Sequence, residues 1–219
     1  MIFEDRVDAG RRLAEKLARY RGSNAIVLAI PRGGVVVGFE VAAALECPLD
    51  IVVPRKIGSP SQPELAIGAV TSDAVMLDDK LIQYLGVSKE YIDDEIRRQR
   101  EEIERRERMY RENRQSPTLE GKTAILVDDG IATGYTMMAA VKDTRKRNPA
   151  SLVVAVPVAS VEAVEILRPH ADELIVLETP ESFYAVGAWY DRFEQTIDEE
   201  VINLLETAAK GIPSGRPGL

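Results

Sequence analysis

Short apolar runs and amphipathic segments alternate along most of the chain. Runs of strand length, rich in Ile, Val, Leu and Ala, predict buried strands at residues 25–30, 49–53, 124–127, 152–158 and 173–178. Helices are predicted between and around them, over residues 5–20, 33–45, 137–144, 160–167 and 198–209. This alternation predicts an α/β fold with a mainly parallel sheet flanked by helices, in which the first helix has a structural role.

Residues 55–115 interrupt the alternation and form a predicted insertion. Residues 54–63 are polar, rich in proline and basic at their start, which predicts a flexible loop. Apolar stretches at 67–70 and 74–77 predict a hairpin. Residues 88–114 predict a long helix that is charged nearly all round and is either a solvated connection, a dimer contact or a lid. Its thin apolar stripe consists of Ile92, Ile96, Ile103 and Tyr110.

Composition excludes several classes of protein. The net charge of −8 and the pI near 4.9 argue against general nucleic-acid binding, which needs a basic surface. Cys47 is the only cysteine, so an intrachain disulfide and a four-cysteine zinc site are both excluded. Neither an apolar signal core nor a run of about 18 apolar residues occurs, so a cytoplasmic protein without a membrane segment is expected. We expect one domain over residues 1–209 and a disordered tail at 210–219.

The third predicted strand leads into the most specific motif of the chain, TAILVDDGIATGYTMMAAV. Asp128 and Asp129 follow the strand, and a turn containing Gly130 and Gly134 then opens a helix. Unpaired backbone N–H groups in a first helical turn favour an anion. Carboxylates beside an anion need hydroxyl groups to bind, so a sugar phosphate fits the motif, although the aspartates could instead only cap and solvate the helix. A Walker phosphate loop is excluded, because Tyr135 stands where that loop needs lysine.

Two further polar segments follow the first two predicted strands. Pro31-Arg32-Gly33-Gly34 presents free N–H groups again, and Arg32 can add positive charge to an anion site. The alternative for this tetrapeptide is a plain turn in which glycine permits close packing. Arg55 and Lys56 follow the second strand and are either part of an anion site or two solvated cations.

The acidic pair, the Thr133-Gly134 dipeptide and Thr136 together resemble the signature of the type I phosphoribosyltransferases. The resemblance implies a Rossmann-related, phosphoribosyltransferase-like α/β fold with a C-terminal hood at residues 179–193. It also implies that Asp128 and Asp129 bind the ribose hydroxyls of the donor. The loop implied to wrap the 5′-phosphate consists of Gly130, Ile131, Ala132, Thr133, Gly134, Tyr135 and Thr136.

The resemblance assigns roles to three other segments. The residues similar to the diphosphate loop of the family are Pro31, Arg32, Gly33 and Gly34, and the peptide bond before the basic residue of that loop is expected to be cis. Arg55 and Lys56 are implied to lie near the diphosphate, ahead of a loop that closes over the reaction. In the hood, Phe183 or Trp189 is expected to stack on an acceptor base, unless these aromatic residues only pack in a small cluster under the last helix.

The implied activity is transfer of phosphoribose from 5-phosphoribosyl 1-diphosphate to a nitrogenous acceptor, most simply a nucleobase, with release of pyrophosphate. The expected catalytic residues are Asp128, Asp129, Arg32 and Lys56, with magnesium as the cofactor, held mainly through the ligand. The alternative is a non-catalytic sensor or regulatory protein that binds the donor or a nucleotide.

The acceptor is less well defined than the donor. Ala132 stands where 6-oxopurine enzymes of the family usually place aspartate, which disfavours hypoxanthine and guanine. The overall resemblance is best to small phosphoribosyltransferases whose substrates are unsettled. Expected partners are therefore the small-molecule donor, a nucleobase-like acceptor and possible second copies of the chain in a homodimer, but neither nucleic acid nor a membrane.

Overall fold

The computed structural model describes residues 2–112 and 114–211. Its strands are β1 (Ala25–Ala29), β2 (Leu49–Ile51), β3 (Arg55–Gly58), β4 (Ala66–Val70), β5 (Val75–Leu77), β6 (Thr123–Val127), β7 (Ser151–Val158) and β8 (Glu173–Glu178). Its α-helices are α1 (Arg6–Lys16), α2 (Gly33–Leu45), α3 (Asp79–Leu85), α4 (Lys89–Arg111), α5 (Tyr135–Lys146), α6 (Val161–Leu167) and α7 (Asp198–Ala209). Each strand predicted from an apolar run matches an observed strand to within two residues.

The main sheet has five parallel strands in the order β2-β1-β6-β7-β8. The α/β fold predicted from the alternation of strands and helices is thereby confirmed. The order places β1 beside β6, with Ala25 opposite Thr123 and Ala29 opposite Val127. Because parallel strands end at the same edge of a sheet, the turns that follow β1 and β6 become neighbours.

Helices cover both faces of this sheet. Alternate residues of β1 point to opposite faces, so Ile26 and Leu28 pack with residues of α5 and α6, whereas Val27 packs with residues of α1 and α2. All five residues of β1 are buried. Strands that are buried on both faces read as continuous apolar runs, which is why the sequence pattern located them.

The insertion forms a second sheet of three antiparallel strands, β3-β4-β5. The predicted hairpin corresponds to β4 and β5, but the loop predicted at residues 54–63 is wrong for Arg55–Gly58, which forms β3. The composition of this segment did not indicate a strand, because Arg55 and Lys56 are cationic. Ile57 is the only large apolar residue of the strand. Residues 59–65 lie outside strands and helices.

The long charged helix is α4, and its apolar stripe packs within the same chain. Ile103 and Tyr110 are fully buried against Ile57 of β3 and Val201 of α7. Arg111 at its last turn forms an ion pair with Asp50 of β2, with 3.0 Å between Nε and Oδ1. The helix therefore connects the small sheet to the edge of the main sheet.

None of the helices within residues 2–112 and 114–211 is long and apolar enough to cross a membrane. The tail expected at residues 210–219 falls, from residue 212 onward, outside the described residues.

Candidate functional site

The turns after β1 and β6 touch, and glycines make this contact possible. A Cβ atom added to Gly33 would lie 2.0 Å from Oδ2 of Asp129, and one added to Gly34 would lie 2.8 Å from Oδ1 of Asp128. Both distances are too short for any side chain, because the carboxylates occupy the space. The two glycine turns found separately in the sequence therefore form one site around the acidic pair.

The peptide bond between Pro31 and Arg32 is cis, as the resemblance implied. Arg32 comes directly before α2, and its half-exposed guanidinium has Nη1 3.6 Å from Oδ1 of Asp198. The structure thus keeps Arg32 at the start of α2, next to the turn that contacts the aspartates.

The helices that begin at this site differ from most others in the described part of the chain. Side-chain oxygens of Asp5, Asp78, Ser88 and Ser160 cap α1, α3, α4 and α6. By contrast, α2 and α5 have neither a side-chain cap nor an acidic residue in the first turn. Their first-turn N–H groups and positive dipole ends are consequently available to an anion.

The loop from Gly130 to Thr136 is fixed by the end of β7. The N–H of Ile131 donates to the carbonyl oxygen of Val158 at 2.9 Å, and the Ser160 hydroxyl donates to the carbonyl oxygen of Ala132 at 2.6 Å. Gly134 then starts α5 with a φ of +82°, a value that favours glycine. These constraints hold the first turn of α5 in place without any ligand.

The side chains of this loop point in different directions. Thr133 is exposed and Thr136 is half-buried, so both hydroxyls lie at or near the surface of the loop. The Tyr135 hydroxyl instead donates to Asp78 of the insertion, and this hydrogen bond raises the pKa of Tyr135 to about 12. Tyr135 therefore joins the loop to the insertion, and its main chain, not its hydroxyl, faces the start of the helix.

Asp128 and Asp129 are both partly buried but have different partners. Oδ1 of Asp128 accepts a hydrogen bond from the Asp129 N–H at 2.8 Å. Burial, followed by the charge of Asp129, raises the pKa of Asp128 well above its ordinary value. Burial also raises the pKa of Asp129, but the guanidinium of Arg6 opposes this effect from 2.7 Å.

Two residues of the site escaped the sequence analysis. Arg6, in the first helix, contacts Asp129 across 123 positions of sequence, and Tyr190 donates its hydroxyl hydrogen to the carbonyl oxygen of Asp129. Burial raises the pKa of the Tyr190 phenol, and the nearby aspartate adds to this effect. The first helix thus contacts the acidic pair directly. The only local signal was an arginine at the first position of a helix, where the dipole disfavours a cation.

Arg55 and Lys56 lie on opposite faces of β3. The guanidinium of Arg55 donates to Oε1 of Gln99 on α4 at 2.9 Å, and burial lowers its pKa. Lys56 is exposed and pairs in register with Ala69, which in turn pairs with Met76. Because Met76 packs against the core around α5, Lys56 lies on the α5 side of the small sheet and Arg55 on the α4 side.

Residues 2–186 match the family model described as phosphoribosyl transferase domain. The chain belongs to this family. The recognition drawn from the acidic pair and the threonine-glycine loop is thereby confirmed, and the family is one of pentosyltransferases.

Individual relatives agree with this family. Two Mycobacterium tuberculosis proteins, from strains CDC 1551 / Oshkosh and ATCC 25618 / H37Rv, are each 44% identical to the chain over 208 residues. Both bear the provisional name phosphoribosyl transferase. The match covers 94% of this chain but 47% of each relative, so the chain spans about half their length. The crystal structure of TT1426 from Thermus thermophilus is 43% identical, with a TM-score of 0.79 over 94% of this chain and 98% of that one.

The segment expected to form the hood, residues 179–193, contacts the backbone of Asp129 through Tyr190. Phe183 and Trp189 are half-buried against a small cluster that includes Phe3 and Tyr190. The rings therefore pack in a small cluster, as the alternative had it, but against Phe3, Ala9 and Val158 and not under the last helix. Tyr184 is the most exposed ring of the segment, at 92%. A Cβ atom added to Gly130 would lie 2.5 Å from Val186, so the hood also rests directly on the loop after β6.

The oxygen atoms of the acidic pair are the candidate ligands for a divalent cation. Within the described ranges, no group of three or more His, Cys, Asp or Glu side chains is suited to holding a metal ion. Asp128 and Asp129 offer the oxygen atoms that magnesium prefers, but Arg6 already occupies one of them.

Proposed function

We propose that the chain binds 5-phosphoribosyl 1-diphosphate with magnesium and transfers its phosphoribosyl group to a nitrogenous acceptor, a nucleobase, with release of pyrophosphate. One observation carries the proposal, namely that the uncapped start of α2 contacts an adjacent pair of partly buried carboxylates, and the loop after this pair leads into the uncapped start of α5. Two anion sites flanking two hydrogen-bond acceptors match a molecule that has a phosphate, two hydroxyls and a diphosphate.

Each part of the donor has a complementary part of the site. The first turn of α5 suits the 5′-phosphate, and the carboxylates of Asp128 and Asp129 suit the ribose hydroxyls. The turn before α2, with Arg32, suits the diphosphate. Lys56 is exposed on the α5 side of the small sheet, where it can add charge to the leaving group, whereas Arg55 would first have to leave Gln99.

The reaction requires positioning and fixed charge more than a covalent nucleophile. The acceptor nitrogen forms a bond to C1 of the ribose while the bond from C1 to the diphosphate oxygen breaks, and pyrophosphate leaves with that electron pair. The nitrogen then loses its proton to solvent. Positive charge that develops on the ribose is stabilised by the adjacent carboxylates, which are already held in place. Bound magnesium would neutralise charge on the departing diphosphate.

The position of Ala132 supports an acceptor other than hypoxanthine or guanine. Ala132 is exposed, and its carbonyl oxygen already accepts a hydrogen bond from Ser160. This position therefore has no acidic side chain to face a purine ring. Adenine, pyrimidines and small amines are the acceptors to examine first.

The experiment that tests the proposal incubates the protein with magnesium, donor and a panel of purines, pyrimidines and small amines, and measures pyrophosphate. We expect release with at least one acceptor, and loss of donor binding in a double variant with Asp128→Asn and Asp129→Asn. The matched control changes Asp93→Asn and Asp94→Asn, two adjacent exposed aspartates on α4, and should behave as wild type.

Two results would contradict the proposal in different ways. Tight donor binding by calorimetry without pyrophosphate release from any acceptor would replace the enzyme with a sensor of the donor. Unchanged donor affinity in the double variant at residues 128 and 129 would remove the ribose-binding role of the acidic pair.

A further inference from the structure

Arg6 joins three parts of the site through one guanidinium group. Its Nε lies 2.7 Å from Oδ2 of Asp129, and its Nη1 donates to the carbonyl oxygen of Glu194 at 2.7 Å. Its Cζ lies 3.8 Å from the centre of the Phe193 ring, which is a cation–π distance. The Arg6 side chain is only 11% exposed, so these contacts account for most of its surroundings.

The location of Arg6 in its helix is unfavourable locally. It is the first residue of α1, directly after the Asp5 cap, where the positive end of the helix dipole disfavours a cation. Residues that break a local preference are expected at functional sites, where a tertiary interaction compensates for the loss. The compensating interaction here is the one with Asp129.

We propose that Arg6 is a positioning residue for the donor ribose. It keeps Oδ2 of Asp129 occupied, so that Oδ1 alone is directed to a ribose hydroxyl, and it links that carboxylate to the hood. The inference rests on the proposed function, because the ribose is that of the proposed donor.

The hood reaches Asp129 by two routes. Tyr190 holds the backbone carbonyl, and Arg6 connects the side chain to Phe193 and Glu194. The ionisable groups that face Asp129 are Arg6 from α1, Asp128 from the end of β6 and the Tyr190 phenol from the hood. The remaining neighbour is Gly33, at the uncapped start of α2. Arg6 is thus the one cationic side chain in direct contact with Asp129 among the described residues.

The test compares Arg6→Met and Arg6→Lys with wild type, and uses Arg11→Met as the matched control. Arg11 lies on the same helix and pairs with a carboxylate, Glu40, but it is outside the site. Carbon-13 NMR measures the titration midpoint of the Asp129 carboxyl without ligand, with the Asp129→Asn variant identifying its signal. Calorimetry measures the affinity for 5-phosphoribosyl 1-diphosphate and magnesium as a function of pH.

In Arg6→Met we expect the Asp129 midpoint to move to higher pH, because the charge that favours the carboxylate is gone. Donor affinity at pH 7 should fall about tenfold or more, which corresponds to about 1.4 kcal/mol, and the deficit should shrink as the pH is raised. Arg6→Lys should restore part of the midpoint and of the affinity, because a cation returns without the planar fork. Arg11→Met should match wild type in both measurements.

The outcomes separate this inference from the proposed function. If wild type binds no donor, the proposed function fails, and the positioning role fails with it. If wild type binds donor but Arg6→Met retains the wild-type midpoint or the wild-type affinity, only the positioning role is overturned. Circular dichroism of each variant shows whether it is folded, and Arg6→Lys carries the test if Arg6→Met does not fold.

Discussion

Asp128 and Asp129 differ in what neutralises their charge. Asp129 has the guanidinium of Arg6, whereas the partner of Asp128 is a backbone N–H group. Some carboxyl groups have a higher pKa in the folded state than in the unfolded state. Such a group makes folding less favourable once the pH rises above the pKa that it has in the unfolded state. At neutral pH, Asp128 therefore lowers the stability of the protein, a cost that the proposed role of this carboxylate as an acceptor for the donor would explain.

We predict opposite effects on stability for the two single variants. Asp128→Asn should raise the melting temperature at pH 7, because the amide oxygen can keep the hydrogen bond from Asp129 without the buried charge. Each kcal/mol gained is worth about 2–4 °C in a chain of this size. Asp129→Asn should lower the melting temperature, because losing the ion pair with the largely buried Arg6 outweighs the relief of removing the Asp129 charge, whose pKa burial also raises.

Thermal unfolding at pH 7 and at pH 4 measures both effects. The gain from Asp128→Asn should diminish at pH 4, where the wild-type carboxyl of Asp128 is closer to neutral because its pKa is raised. Changes of the same sign in the two variants would show that Arg6 does not distinguish the two carboxylates.

At the scale of elements, the site depends on how two helices begin. The turn before α5 requires a left-handed residue, and Gly134 supplies it with a φ of +82°. The same backbone conformation occurs at Gly121, where φ is +70° and no atom lies within 4 Å of an added Cβ. Comparing the same substitution at Gly134 and at Gly121 therefore distinguishes the cost of backbone strain from an effect on ligand binding.

Gly134→Ala and Gly121→Ala should each destabilise the protein by about 1–2 kcal/mol, because a left-handed conformation is strained for alanine. Only Gly134→Ala should weaken donor binding, since it disturbs the N–H groups at the start of α5. Urea denaturation measures the first effect and calorimetry the second. Equal donor affinity in both variants would mean that the start of α5 is not the phosphate site.

At the scale of the whole molecule, Arg111 holds the insertion to the main sheet. Its guanidinium contacts both carboxylate oxygens of Asp50, at 3.0 and 3.2 Å, and donates to the carbonyl oxygen of Ile51 at 2.9 Å. Burial acts to lower the pKa of Arg111, but the charges and hydrogen bonds of Asp50 and Glu107 together leave the pKa raised. The contact joins the end of α4 to the edge strand β2.

Arg111→Met should destabilise the protein by about 3 kcal/mol, because it leaves the buried Asp50 carboxylate without its cation. Arg108 is exposed and lies on the same helix, three residues before Arg111. The control variant Arg108→Met should therefore change stability by less than about 0.5 kcal/mol. Chemical denaturation of both variants provides the measurement. A loss in Arg111→Met no larger than in Arg108→Met would mean that the ion pair contributes little.

Much of the fold and part of the site follow from local patterns. The sequence pattern predicted the strands of the main sheet, the α4 helix and the two glycine turns. Strands buried on both faces are continuous apolar runs, and turns with special backbone angles need glycine. The strand at Arg55–Gly58 has no such pattern in the sequence, because its exposed positions are cationic. It forms a strand because it pairs with β4.

The sequence by itself determined that the chain is an α/β protein with an acidic pair between a buried strand and a glycine-containing turn that starts a helix. The tertiary structure alone decided that β1 lies beside β6, so that Gly33 meets Asp129. It also decided that Arg6 and Tyr190 hold that aspartate, and that Arg55 turns toward α4. The physical reason is that strand order and long-range ion pairs depend on packing between segments far apart in the chain, which no local periodicity records.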